Sequence, residues 1–206
     1  MKSEASLLHA QLRRMRAMNY KYHALFFRYI NYWILICVGL LVVSLWEPLR
    51  AAVFFVPPLV LYAAMQGAFH FHYMLFARRY ARTLEQKWNA LAGKEILIAN
   101  RLEDAYMMPL DAPRFVGFSF GKPTTFFSGI TLHYGIAGTF LWALGLVWAL
   151  MLTPQFASAL PLLWLYVPAM LVWTLANMAY LAWYFVMQRD EKQVQKILDE
   201  WVTETK

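Results

Sequence analysis

The sequence predicts an all-α integral membrane protein. It would have four transmembrane helices in two hairpins, both termini in the cytoplasm, and amphipathic helical extensions on that side. Three observations predict this. Of 206 residues, 61% are apolar and only 15% charged, against about 45–50% and about 25% in an ordinary soluble domain. Charged residues are missing between Lys122 and Arg189, from Tyr29 to Trp46, and from Ala51 to Ala77. Eighteen of the nineteen lysines and arginines fall in the three remaining polar segments, and only Arg50 stands apart. The apolar excess is too large for one soluble core. It argues against a water-soluble enzyme and excludes a disordered chain.

Residues 1–28 form the first polar segment. Leu8, Leu12, Met15, Asn19 and Tyr22 fall on one helical face, with Arg13, Arg14 and Arg16 largely off it and Ser3 placed as an N-cap. Such a helix either lies on anionic headgroups or packs on the protein's own helices.

Residues 29–77 form the first hairpin. A helix needs about 20 apolar residues to cross roughly 30 Å of hydrocarbon. Span one covers Tyr29–Trp46 and stops at Glu47-Pro48-Leu49-Arg50. Span two begins near Pro57-Pro58, since proline suits a first helical turn, and reaches Ala77. Val53 to Val56 reads as an outer interfacial piece. Inside lipid every backbone polar group needs an internal partner, so each span is a helix or a barrel strand. The long runs lack the two-residue alternation of a barrel. No small-residue cleavage site follows span one, so it is expected to stay in the mature chain.

Residues 78–125 combine a cytoplasmic helix with a Pro/Gly/Phe-rich loop. Leu84, Trp88 and Leu91 continue a narrow apolar stripe from Ala77; Gly93 interrupts it, Ile98, Leu102 and Tyr106 resume it, and Pro109 ends it. Pro109, Pro113, Gly117, Gly121 and Pro123 forbid a long helix thereafter, while Phe115, Val116, Phe118 and Phe120 sit between them. This loop dips into the headgroups, folds under the bundle, or serves as a linker with aromatic anchors.

Residues 126–187 form the second hairpin. Span three is Phe126–Leu152, closed by Thr153-Pro154; span four runs from Pro161 to Met187, with a kink expected at Pro168. Residues 188–206 form a C-terminal helix whose Val194, Ile197, Leu198 and Trp201 repeat the apolar stripe. Leu84, Trp88, Leu91, Val194, Leu198 and Trp201 are therefore the expected cytoplasmic contact residues, burying each other or copies from other subunits. The two halves resemble a loose parallel repeat, hairpin then amphipathic helix, with too few shared residues to establish duplication.

Within span three, Thr131, Gly135, Gly138, Trp142, Gly145 and Ala149 form a small-residue seam, and span four offers Ala169, Ala176, Ala179 and Ala182. Small residues allow close helix approach where the hydrophobic effect is absent. The third and fourth spans are thus expected to pair, unless span three faces another subunit. Cys37 stands alone in span one, where it acts as a packing residue.

Cationic loops mark the cytoplasmic side. The bias places both termini and the middle segment there, in a membrane of the bacterial inner or plasma type. The net charge of +7 reflects this bias and attraction to anionic lipid. Nucleic acid is not an expected partner, since the basic residues are interleaved with acids and no recognition motif occurs.

Chemical signatures are sparse. No Asp, Glu, Lys or Arg lies within the spans, which weighs against ion-coupled transport. No phosphate loop, metal motif or nucleophile elbow occurs. His70 and His133 each lie seven residues from the cytoplasmic end of a span, about 10 Å of helix. On facing helices they could ligate a haem, although an interfacial histidine more often bonds to a neighbour or a headgroup. His72 points about 200° away from His70. Gln66 and Asn177 read as interhelical hydrogen-bond groups. The leading expectation is a non-enzymatic assembly or scaffold subunit of a membrane complex, partnered by the bilayer and by its own copies or other membrane subunits. The alternatives are a homo-oligomeric channel or pore-forming effector with Gln66, Thr139 or Asn177 turned inward, and a haem-binding redox subunit. A carrier for a neutral or lipid-like substrate ranks below them.

Overall fold

A computed structural model describes residues 4–112, 114–115, 118–119 and 126–204. The Ser3 cap and most of the aromatic stretch 116–125 lie outside them. Helix α1 spans Glu4–Val43, and a 3-10 helix follows over Glu47–Phe55. Helix α2 covers Val56–Ala92, α3 Ala99–Tyr106 and α4 Phe126–Ala157. A second 3-10 helix over Pro161–Leu165 leads into α5, Tyr166–Met187, and α6 closes the chain with Arg189–Glu204. Strands β1 (Arg114–Phe115) and β2 (Phe118–Ser119) make a minimal antiparallel pair. Four helices are long and apolar enough to cross a membrane: Glu4–Val43, Glu47–Ala92, Phe127–Ala157 and Pro161–Thr203.

Most helix ends follow local chemistry. Pro48 lies in the first turn of the first 3-10 helix, and Pro161 opens the second. Gly93 stops α2 with a φ of +64°, a conformation only glycine adopts at little cost. Gln188 takes a φ of 52° between α5 and α6. Two proline expectations change. Helix α4 continues through Pro154 to Ala157, and beside the proline the Thr153 hydroxyl donates to Ala149 O at 2.8 Å. Pro168 falls in the first turn of α5, where a missing N–H has no intrahelical acceptor to lose, so no kink is required.

The chain divides into two compact units. The first gathers residues 1–26, 69–131 and 183–206, so it contains the described parts of the three polar segments apart from Phe27 and Arg28. Its apolar core is Leu8, Leu12, Met15, Ala81 and Leu84, with Trp88, Leu97 and Trp201 packed against it. The N-terminal stripe is thus covered by the protein's own helices. The second unit gathers residues 27–68 and 132–182. Its core is Cys37, Leu41, Val53, Val56, Leu141, Ala149 and Leu152.

The close helix approach in the second unit differs from expectation. A methyl group placed on Gly145 would come within 2.8 Å of Val56 Cγ1 and 3.2 Å of Pro57 Cδ, both at the start of α2. A methyl group placed on Gly138 would lie 4.0 Å from Val60 Cγ1 of the same helix. The seam of α4 therefore receives α2. Ala169, Ala176 and Ala179 of α5 remain exposed. The physical reason lies in the shape of α2: its branched Val56, next to the Pro57 ring, fills the notch that a bare glycine leaves.

Candidate functional site

The first unit carries a cluster of ionic groups that the apolar stripes do not announce. Helix α2 leaves its charge-free run at Ala77 and presents Arg78, Arg79 and Arg82 in the next two turns. The Arg78 side chain is fully buried. It donates from Nε to Glu103 at 3.3 Å, and from Nη2 to Asp104 at 3.0 Å and to Met108 O at 3.1 Å. Arg79 donates from Nε and Nη2 to a single oxygen of Glu191, at 3.1 and 2.8 Å, and from Nη2 to Leu110 O at 2.9 Å. Arg114, also fully buried, donates to the same Glu191 oxygen and to Leu110 O at 2.6 Å. Arg82 donates to Asp111 at 2.6 Å. Four guanidiniums thus meet four carboxylates, but unevenly. Three of the arginines are buried, whereas Glu191 is the one acid buried to a similar degree.

Burial pulls the Arg78 guanidinium below its usual range; Glu103 and Asp104 oppose this, and Arg79 adds to it. Burial lowers Arg114 likewise, with Glu191 opposing and Arg79 and Arg78 adding. An arginine so paired stays charged throughout the physiological range. Among the described residues, the buried Arg78 Nη1 and Arg114 Nε meet no hydrogen-bond acceptor.

The cluster fixes the loop after α3. Met108 and Leu110 are fully buried, and carbonyls of residues 108, 110 and 112 accept from Arg78, Arg79, Arg114 and Gln188. The described start of the proline-rich loop therefore folds into the unit. Farther along α2, the buried carboxylate of Glu85 accepts from Arg16 of α1 at 2.8 Å and from the backbone N–H of Asn100 at 3.3 Å. Asn89 holds Ile96 and Leu97 through their backbone groups.

Helix α3 is consequently pinned by its polar face. Asn100, Glu103 and Asp104 meet α2, while Ile98, Leu102 and Tyr106 are 45%, 60% and 69% exposed. The apolar stripe lies about 150° round the helix from the pinned face, at 100° per residue. An ordinary surface helix buries its apolar stripe; α3 turns it outward.

The residues singled out in the sequence fall as follows. Leu84 and Leu198 are buried, Trp88 and Trp201 pack beside the first unit's core, Val194 is half-buried and Leu91 is exposed. Lys87 lies over the Trp201 ring at 3.3 Å. His70, buried in the first unit, has the Tyr22 ring 6.1 Å away. His133, exposed in the second unit, has Tyr134 at 6.3 Å. His72 hydrogen-bonds to Tyr184. Gln66 accepts from the indole N–H of Trp33 at 2.7 Å, linking α2 to α1. Asn177 donates to Trp173 O of its own helix at 2.7 Å. A methyl group placed on Gly135 would meet no described atom of another element within 4 Å. Among the described residues no cluster of three metal-ligating side chains occurs.

Reading by stripes missed Arg78, Arg79, Arg114 and Glu191. Their signal was present as adjacent arginines at the foot of an apolar run, followed by acids at 103, 104 and 111. No protein-family model matches the chain, and neither a curated protein nor a solved structure matches it.

Proposed function

We propose that this chain is a non-enzymatic assembly or scaffold subunit of a membrane complex. In this reading its four spans form two hairpins with both termini in the cytoplasm, and the first unit makes the protein contacts. The gathering of the described parts of the three cation-rich segments, Phe27 and Arg28 apart, into that unit supports a shared side, as does the cationic bias itself. The observation that carries the reading is α3, tied to the buried Arg78 through its partly buried Glu103 and Asp104, with its apolar stripe exposed. A contiguous exposed apolar face is the kind of surface that protein–protein contacts cover.

Mass spectrometry of the complex purified in mild detergent tests this. Leu102→Glu places a charge on the exposed stripe without touching a core residue. The expected result is loss of a bound subunit with unchanged thermal unfolding. An identical set of bound subunits in wild type and variant overturns the reading. Trp88 and Trp201 make poor probes, because they pack inside the unit and their loss would disturb the fold.

A further inference from the structure

We propose that α6 is a latch with two positions, swung on Gln188. In one it is docked along α2; in the other it is released, with α5 and α6 merged into one continuous helix. The last turn of α5, Gln188 and α6 all belong to the first unit. The proposal goes beyond the scaffold reading and stands without it.

Backbone geometry supplies the first argument. Gln188 is the one non-glycine residue with a positive φ among the described residues. It is the whole junction, since α5 ends at Met187 and α6 begins at Arg189. Its N–H donates to Tyr184 O at 3.1 Å, and its carbonyl accepts from the N–H of Lys192 at 2.9 Å. Both are the four-residue bonds of an α-helix, so the ladder is already closed on either side of the bend. Turning Gln188 to right-handed values removes a left-handed conformation that is costly for any side chain. It also offers the N–H groups of Arg189, Asp190 and Glu191 the carbonyls of Phe185, Val186 and Met187, acceptors that the first turn of a separate helix lacks. The backbone of this junction therefore favours the straight form.

Side chains hold the bent form against that preference. Glu191, in the first turn of α6, accepts from Arg79 and Arg114, and Gln188 Nε2 donates to Ala112 O at 3.4 Å. Farther along, Leu198 is buried, Trp201 packs beside the first unit's core, and Lys87 Nζ donates to Trp201 O at 3.2 Å. Lys192, Gln193, Lys196, Ile197 and Glu200 are exposed. Helix α6 thus meets the unit along one face, and a swing at one residue removes these contacts together. Release takes the shared carboxylate away from Arg79 and Arg114 and uncovers Leu198 and Trp201. Opposed preferences of backbone and side chains are what a two-state element requires.

Two spin labels on the whole chain in lipid nanodiscs test this. One is attached at Gln86→Cys on α2 and one at Glu200→Cys on α6, both exposed positions, in a Cys37→Ala background. Release is read as a second, longer distance beside the docked one. Gln188→Gly and Gln188→Ala both remove the side-chain bond to Ala112 and leave every residue of the arginine cluster in place, so they differ in backbone preference. Glycine tolerates the left-handed turn, whereas alanine disfavours it and prefers a continuous helix. The ratio of released to docked form is expected to be at least about fivefold higher for Gln188→Ala. Hydrogen exchange at residues 189–191 should be slower in Gln188→Ala than in Gln188→Gly, because merging protects those N–H groups. Faster exchange there would mean that α6 unravels instead of merging, and overturns the proposal. Matching distance distributions in the two variants overturn it as well. If they match while Leu102→Glu sheds a bound subunit, the latch fails and the scaffold reading stands.

Discussion

In the first unit one oxygen of Glu191 accepts from both Arg79 and Arg114. In the second, a methyl group placed on Gly145 would meet Val56 at 2.8 Å. The former joins α2, the loop after α3 and α6 through charge; the latter joins α2 and α4 through the absence of a side chain. On the proposed membrane reading, the difference follows from the solvent each segment must satisfy. Near water, long cationic side chains can be desolvated if carboxylates and carbonyls replace the lost hydration. Within hydrocarbon, charges are too costly, and packing of small residues against branched ones takes over.

The largest expected effect breaks the ionic side of that contrast. Glu191→Gln leaves two buried guanidiniums without their shared anion, and removing one partner of a buried pair costs about 3–5 kcal/mol. Thermal unfolding of the detergent-solubilised protein should drop sharply, and the loop after α3 should become open to trypsin. A variant melting with the wild type would mean that the cluster does not hold the unit together. Next comes the packing side. Gly145→Ala should cost about 1–3 kcal/mol by overpacking. Gly135→Ala, whose added methyl meets no described atom of another element within 4 Å, should be neutral or slightly stabilising, so equal melting of the two variants would remove the α2–α4 contact from the account.

The four apolar helices could be read directly, because a bilayer imposes one length and one polarity on any span. The stripes at Leu8 to Met15 and at Leu84 were equally plain, since period alone reveals a face. Other features needed three dimensions. Glu191 meets Arg114 across 77 residues of sequence, and no local pattern announces that. The α4 seam showed that something packs closely, but which helix fills Gly145 depends on the shape of Val56 and Pro57. For α3 the periodicity identified the apolar face correctly but left open its direction, because the pairs at Arg78 and Glu85 turn the polar face inward.

Smaller effects sharpen the contrast further. Gln66→Leu removes the hydrogen bond from Trp33, a loss of about 0.6 kcal/mol by the average for such bonds in membranes. A much larger fall in stability would show the spans depending on polar contacts. For Asp111, burial pushes the carboxyl up, but the hydrogen bond and charge of Arg82, aided by Arg79, outweigh it and hold the group below its usual range. A depressed folded value means that its contribution is complete above the ordinary carboxylate range and fades as pH falls through the lowered value. The side chain is 65% exposed, so screening keeps the effect small. Asp111→Asn should cost a little stability at neutral pH and none at low pH, so the acid limb of the stability profile becomes slightly flatter; a loss confined to low pH would contradict the pairing.

The account depends on the three polar segments sharing one side of the membrane. Single cysteines at Arg13, Lys94 and Lys196, and one at Glu47, can be placed in a Cys37→Ala protein and challenged with a membrane-impermeant maleimide on sealed vesicles of known orientation. The account predicts that positions 13, 94 and 196 label together from the cytoplasmic face and position 47 only from the opposite face. Labelling of positions 13 and 94 from opposite faces would contradict it.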